Sequence, residues 1–298
     1  MRPVLTDIDF DGCVGIAGTG RLAKALGALM VGRGIAVTAV AGRCEQSAEE
    51  ARKFIGADRV ASLSELPQCV RRIIIAVTDG AISNVAAELT EGGLSDGIVL
   101  HTSGAAGPDA LRILREAGNA VGVLHPLMTV PTAEQGLEAM AGATYAFAGD
   151  EKAVAWAADL VACLGGRALL VDPQFWPRYH AGATMACNYQ ITLMDAALEL
   201  MTMAGIGRED ALLALGPILR ATTENVLRSG PAKSLTGPIR RGDIGTIRQH
   251  LSVLEHASPE TRQLYVAAGL RTIAIAKQAG LKENSAREIE KALGAGTI

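Results

Sequence analysis

Aromatic side chains make up only 3% of this 298-residue chain, and basic residues are too few to offset the acidic ones, leaving a formal net charge of −3. A nucleic-acid surface needs a basic footprint and rings on which bases stack, so these two scarcities exclude that class of partner. Cysteine is also sparse: Cys13, Cys44, Cys69, Cys163 and Cys187 are odd in number, scattered and never spaced as C-x-x-C. Such a set supplies neither a disulfide framework nor a zinc site, and it points to a reducing compartment with no bound metal. Long uninterrupted apolar runs are missing too. The opening MRPVLTDIDFDG carries three aspartates and no apolar segment of the kind a secretory signal requires. The most apolar stretch, 183–205, is broken by Asn188, Asp195 and Glu199, so it reads as a buried or interfacial helix and not a membrane span. A soluble, cytoplasmic protein is expected.

What is present is apolar residue in quantity, 49% of the chain, enough for two domains each with its own core. From residue 12 to about 171, the short runs CVGIAG, IAVTAVAG, RRIIIAVT, GIVLHTSG, AVGVLHP, TYAFAG and RALLVD alternate with segments of helical period. Strand-length runs separated by helix-length patterns predict a doubly wound, mostly parallel α/β sheet of the Rossmann type, with helices on both faces. After Asp172 the pattern is helical to the end, with glycine or proline stops near Gly205, Gly216, Gly230 and Pro259. The domains are therefore expected at 1–172 and 173–298. Met185, Met194, Met201 and Met203 on the first long helix read as flexible core or interface filler. That helix has too little chain around it to be covered internally, which predicts a homodimer joined through the helical half.

The stretch VGIAGTGRLAKAL sets Gly18, Gly20 and Ala23 as G-x-G-x-x-A directly after an apolar strand and at a helix start. In that setting the first glycine permits a tight turn, the second lets a pyrophosphate approach the backbone, and the small third residue packs helix on strand. Gly18, Thr19, Gly20 and Arg21 are thus candidate ligands of a dinucleotide. The motif alone is common; its strand-turn-helix context is what gives it weight. The second strand ends in Gly42, Arg43, Cys44 and then Ser47, with no acid to meet a ribose hydroxyl. A guanidinium holds a 2′-phosphate with paired hydrogen bonds where a carboxylate would repel it, so the cofactor favoured is NADP(H), with Arg43 on the phosphate. Ser47 fits either a hydroxyl donor to the same group or a cap of the next helix. Val77, Thr78 and Asp79 follow RRIIIA at a strand end, where open α/β sheets bind ligands; helix capping accounts for Thr78 and Asp79 equally well.

Two further strand ends carry polar residues that sheet packing does not demand, HTSG at 101–104 and LHPLMT at 124–129. Consecutive parallel strands deliver both to one edge, so Ser103 and His125 are expected to meet there. An imidazole of near-neutral pKa can give a proton to a carbonyl oxygen under reduction, and a serine hydroxyl can polarise that oxygen. A satisfied structural histidine is the competing reading. Within RYHAGATMACNYQ, His180, Thr184 and Asn188 fall at i, i+4 and i+8 and share one helix face. Catalytic groups in the crevice and a polar seam inside a helical interface fit that spacing equally. Finally, SLTGPIRRGD at 234–243 breaks the helical half with two glycines, a proline and the adjacent Arg240 and Arg241, which either await an anion or are solvated.

The ordered phrases GTGRLAKAL, AVTDGAI, LHTSGA, LHPLMT, YHAGATMACNY and LTGPIRRGD resemble the bacterial family that joins a Rossmann-like domain to a helical C-terminal domain of unknown function. The resemblance runs from about residue 12 to about residue 255, and its C-terminal phrases are the specific ones. It implies membership of the 6-phosphogluconate dehydrogenase-like superfamily, NADP-dependent oxidoreductase activity, and kinship with ketopantoate and pyrroline-5-carboxylate reductases. It further implies that the helical half closes over the nicotinamide, with Tyr179, Thr236, Arg240 and Arg241 as substrate contacts and His125, Ser103, His180 and Asn188 as catalytic candidates. Ser103 and His125-Pro126 are also similar to elements of prephenate dehydrogenases that touch the reacting oxygen. The chain departs from the family pattern at Trp176, where a lysine precedes the Tyr-His pair, and at Met128, where glutamine is usual. The function implied is hydride transfer to or from a ketone or imine of a small anionic metabolite, with a 2-oxo acid such as ketopantoate as first guess. The Trp176 departure leaves open a noncatalytic nucleotide-binding or regulatory protein.

Overall fold

The computed structural model describes residues 13–294, so the opening MRPVLTDIDFDG and the expectation attached to it lie outside the described residues. Strands β1 (Val14–Ala17), β2 (Val37–Ala41), β3 (Arg59–Ala61), β4 (Arg72–Ile75), β5 (Ile98–His101), β6 (Ala120–Pro126), β7 (Thr144–Gly149) and β8 (Arg167–Leu170) form one sheet. Its order is β3-β2-β1-β4-β5-β6-β7-β8, parallel except where β7 runs antiparallel to β6. Alternate side chains explain why these runs are apolar throughout. Ile74 and Leu100 enter the core shared with α1 (Arg21–Gly32), while Ile73, Ile75 and Val99 enter the core on the opposite face. Each such isoleucine or leucine is fully buried and contributes roughly 1.5–3 kcal/mol relative to exposure. Seven of the strands follow the apolar runs; β3 does not. It is three residues long and buries only Ala61, too short for a period to show.

Contacts divide the chain into two compact units between Thr184 and Met185. The change from strand to helix comes earlier, after β8. The helix Trp176–Met203 therefore begins in the first unit, where Trp176 is buried against Val123, Ala146 and Ala148. The second unit packs Ile247, Val266, Ile273, Ile289 and Leu293 from the helices Ile244–Val253, Pro259–Gln278 and Glu283–Gly294.

One local expectation fails in this unit, and one segment proves more ordered than its composition suggests. Gly216 does not stop a helix: Arg208–Ser229 runs through Gly216 and Pro217. A proline there forfeits one amide donor, and the carbonyl left over belongs to Leu213, which is 75% exposed and so open to water. The segment 234–243 is also not merely a loop. Pro238–Arg241 forms a helical turn between Gly237 at φ 93° and Gly242 at φ 72°, left-handed positions that glycine permits. The apolar 183–205 stretch is helical as expected, yet Met185, Ile191 and Met203 stay exposed within the described chain. Among the described residues no helix is long and apolar enough to cross a membrane.

Candidate functional site

β1 ends at Ala17, and Gly18 follows at φ 143° with its N–H donating to the Ala41 carbonyl at 2.8 Å. A Cβ at Gly18 would lie 2.2 Å from the Ala76 carbonyl oxygen, so the crossing of β1 past the end of β4 admits only glycine. Gly20 N-caps α1 in extended conformation, and a Cβ there would meet nothing within 4 Å. No side chain caps α1 and its first turn holds no acid. The unpaired amides and the positive helix end therefore face open space, which suits a phosphate.

These residues line a groove of about 470 Å³ together with Thr19, Arg21, Arg43, Val77 and Thr78. Arg21 also donates Nη1 to the Pro131 carbonyl at 2.7 Å, tying the glycine turn to the loop after β6. Arg43 is exposed at the groove wall and makes no hydrogen bond or ion pair among the described residues. The end of β2 is glycine for a packing reason as well, since a Cβ on Gly42 would fall 2.5 Å from Cγ2 of Thr19. Ser47 does not line the groove and is not the helix cap. The cap position of α2 (Glu45–Ile55) is Cys44, and the Ser47 amide and hydroxyl hold the Cys44 thiol below its ordinary pKa. Sequence reasoning missed Asn84 and Glu88, which line the groove from the helix Ile82–Glu91. Their i, i+4 spacing on one face was the available signal.

At the ends of β5 and β6 a second cluster forms around Gly104. A Cβ at Gly104 would lie 2.7 Å from Nε2 of His125 and 2.8 Å from Cδ2 of His180, so both imidazoles edge the space that the missing side chain leaves. The ring centroids of His125 and His180 stand 6.1 Å apart, edge to face. Nδ1 of His125 is 2.7 Å from the Tyr179 hydroxyl. Trp176 donates its indole N–H to the Gly104 carbonyl at 2.9 Å and packs its ring 5.0 Å from that of Tyr179. Tyr179, expected on the substrate, thus has a protein partner. Trp176, which stands where the family pattern has lysine, is 1% exposed and holds backbone.

Ser103 and His125 share the sheet edge, but the residue that meets His125 is Gly104. The Ser103 hydroxyl accepts from the Ala105 and Ala106 amides at 3.2 and 2.9 Å, which leaves its own hydrogen to donate. His101 is fully buried; Nδ1 accepts from the Ser103 amide and Nε2 donates to the Gly107 carbonyl, so it is a structural histidine. The near-neutral His125 expected from sequence is not found. Burial first, and the neighbouring His180 second, push it down to about 4, against the opposing pull of the Asp79 carboxylate. Burial drives the Tyr179 hydroxyl up to about 12. Asp79 is not among the residues lining the groove, and Thr78 makes no side-chain cap.

The remaining candidates belong to the second unit. Asn188 is exposed, Thr236 is exposed, Arg240 is half-buried and Arg241 exposed. Asp243 accepts from the Thr246 amide and hydroxyl as the cap of the next helix, and the Arg241 charge helps keep its carboxyl below the usual range. Arg240 makes no hydrogen bond or ion pair among the described residues. No group of three potential metal ligands occurs among them either.

Comparison with known families places both halves. Residues 9–126 match the Rossmann-like domain family, and residues 143–272 match the DUF2520 family, a domain of unknown function. The chain is a Rossmann-like protein with a DUF2520 domain. Solved structures share this architecture. The TM1727 protein of Thermotoga maritima is 19% identical with a TM-score of 0.68, over 94% of this chain and 98% of its own. BF3122 of Bacteroides fragilis, assigned as an NADP oxidoreductase, is 20% identical at 0.67, over 93% and 97%. The pyrroline carboxylate reductase of Plasmodium falciparum, solved with NADP bound, is 15% identical at 0.53, over 95% and 96%. No protein with a curated description matches by sequence.

Proposed function

We propose that this Rossmann-like–DUF2520 protein is an NADP(H)-dependent oxidoreductase acting on a ketone or imine of a small anionic metabolite. The observation that carries the reading is Arg43, a guanidinium with no hydrogen-bond or ion-pair partner among the described residues, on a groove where the helix starting after Gly20 has no acid in its first turn. Thr19, Gly20 and Arg21 suit the pyrophosphate, Arg43 the 2′-phosphate, and Val77 and Thr78 the adjoining wall. When bound, such a cofactor supplies or accepts a hydride. His125 and Ser103 at the neighbouring strand ends are the groups that would meet the reacting oxygen or nitrogen, with His180 beside them. The NADP bound to the Plasmodium reductase, and the carboxylated cyclic imine in its name, support the same chemistry.

For the substrate's negative group the reading assigns Arg240, Arg241 and Thr236, with Asn188 as a further polar contact. A 2-oxo acid such as ketopantoate is the first compound to test. The homodimer belongs to this proposal, supported by Ile191, Leu213 and Leu227 at 69%, 75% and 82% exposure on two long helices; a monomer in sedimentation at micromolar concentration would refute it. So does a reducing, cytoplasmic setting, supported by five unpaired cysteines.

The deciding experiment is an NADPH fluorescence titration of wild type and Arg43→Ala. A charge-assisted contact contributes about 1.5–3 kcal/mol, so NADPH affinity is expected to fall on the order of tenfold to a hundredfold, with NADH little changed. Equal NADPH affinity in the two proteins sinks the phosphate assignment. Binding without turnover of any oxo acid or imine sinks the enzyme reading and leaves a nucleotide-binding protein.

A further inference from the structure

Four residues close a loop of contacts in the first unit. The Gly104 carbonyl receives the Trp176 indole N–H, the Trp176 ring packs on Tyr179, the Tyr179 hydroxyl meets Nδ1 of His125, and Nε2 of His125 returns to Gly104. We infer that Tyr179 is a proton relay behind His125, donating its hydroxyl hydrogen to Nδ1 so that the imidazole presents its own hydrogen on Nε2. The inference rests on the oxidoreductase reading above and concerns substrates whose reduction consumes a proton.

The geometry leaves the phenol few alternatives. Its ring is held by a tryptophan that is itself buried and pinned to backbone. Its oxygen lies 2.7 Å from Nδ1, the length of a strong hydrogen bond. The groups that act on His125 electrostatically are Asp79, His101 and His180. Of these only Asp79 favours a charged ring, and burial outweighs it. His125 is therefore neutral near pH 7 and holds a single N–H. Giving that hydrogen away unaided would leave an imidazolate in a half-buried site. A second proton arriving at Nδ1 places that charge on the Tyr179 oxygen instead, a weaker base than an imidazolate.

The step balances as follows for a ketone. A bound reduced nicotinamide would supply the hydride for the new C–H bond, and the C=O π pair would be left on the substrate oxygen. That oxygen takes the hydrogen from Nε2, and Nδ1 takes the phenolic hydrogen as the Tyr179 O–H bond breaks. Solvent then protonates Nε2 while Nδ1 returns its hydrogen to the Tyr179 phenolate, which restores the starting tautomer, so the net proton comes from solvent. A protonated imine differs, because the same hydride yields a neutral amine directly. The relay then has nothing to deliver.

The test is Tyr179→Phe, which keeps the ring and deletes the hydroxyl. In the full-length protein labelled with ¹⁵N-histidine and without cofactor, His125 is expected as one Nε2–H tautomer in wild type and as a mixture in Y179F. With NADPH and 2-oxobutanoate as ketone probe, kcat is expected to fall ~10²-fold or more, with KM and NADPH affinity within about twofold. Reduction of preformed 1-pyrroline in its protonated form is expected to stay within about threefold. An unchanged tautomer, or equal losses on ketone and imine, overturns the relay while leaving the oxidoreductase reading intact. A wild-type protein that fails to bind NADPH overturns the reading and the relay with it. Should Y179F not fold, a solvent-deuterium proton inventory on wild type replaces it; two protons in flight are expected, and one overturns the inference.

Discussion

The indole N–H of Trp176 and the carbonyl of Gly104, 72 residues apart in the chain, meet at 2.9 Å. Their bond joins the first turn of a long helix to the loop after β5, and it holds a glycine that lies beside both His125 and His180. The site is thus organised from a position that carries no functional group of its own. Trp176→Phe should keep most of the packing and lose the hydrogen bond, costing about 1 kcal/mol in chemical denaturation. An unaltered midpoint would show that the bond carries no stability.

Gly104→Ala should be worse for the site than for the fold. The new methyl falls 2.7–2.8 Å from atoms of two imidazoles, so the rings must swing away. Overpacking of this kind costs about 1–3 kcal/mol. The histidine ring resonances of His125 and His180 should both move, and catalytic rate should drop while NADPH affinity holds. Movement of neither ring would contradict the geometry.

Gly18→Ala is expected to fail more broadly. Its Cβ would meet a backbone oxygen at 2.2 Å, and its φ of 143° is foreign to alanine. Neither conflict is relieved by a side-chain rotation, so a loss of roughly 3 kcal/mol or more is expected. Circular-dichroism melting and NADPH titration of the same preparation check both consequences; a protein of native stability would disprove the crossing described for β1 and β4.

His125 makes stability pH-dependent with a definite sign. Its folded pKa is depressed to about 4 from 6.5, chiefly by burial. The unfolded chain therefore binds the proton first, so the stabilisation is complete above about pH 6.5 and drains away as pH falls toward 4. Melting temperature should decline across that window in wild type and decline less in His125→Gln. Parallel curves would indicate that the imidazole is not held neutral.

A second acid effect should appear lower on the pH scale and in the other unit. Glu199 accepts from the hydroxyl of Thr261 and from the amide and hydroxyl of Ser258, which hold its carboxyl below the usual 4.5, the Thr261 bond most of all. A carboxylate with a depressed folded pKa stabilises above its unfolded value and stops doing so as pH falls through the folded one. Glu199→Gln should therefore lower the melting temperature at pH 7 and narrow its gap to wild type below about pH 4. A gap that stays constant with pH would mean the charge is irrelevant.

The candidate site was partly legible beforehand, and the legible part has a common character. The glycine turn at 18–20 and the missing acid after β2 are local: each is set by what one short stretch of backbone can do, and each occupies the place its spacing implied. His125 and Ser103 stood out because polar residues at strand ends are unusual, and His180 because it shares a helix face with Thr184 and Asn188. What they touch was not legible. Tyr179 looked like a substrate contact and pairs with His125; Ser103 looked like the partner of His125 and instead turns back on its own loop. The pKa of His125 depends on burial, which no spacing reports.

By itself, then, the order of residues determined the alternation of strand and helix, the glycine turn, and the shift to an all-helical half, because each follows from backbone sterics and apolar period within a few residues. Only the tertiary structure decided that Trp176 braces Gly104, that Tyr179 stands behind His125, and that Pro217 lies inside a helix. Those outcomes turn on which side chains fill the same few cubic ångströms after distant segments meet, and that competition leaves no local trace in the chain.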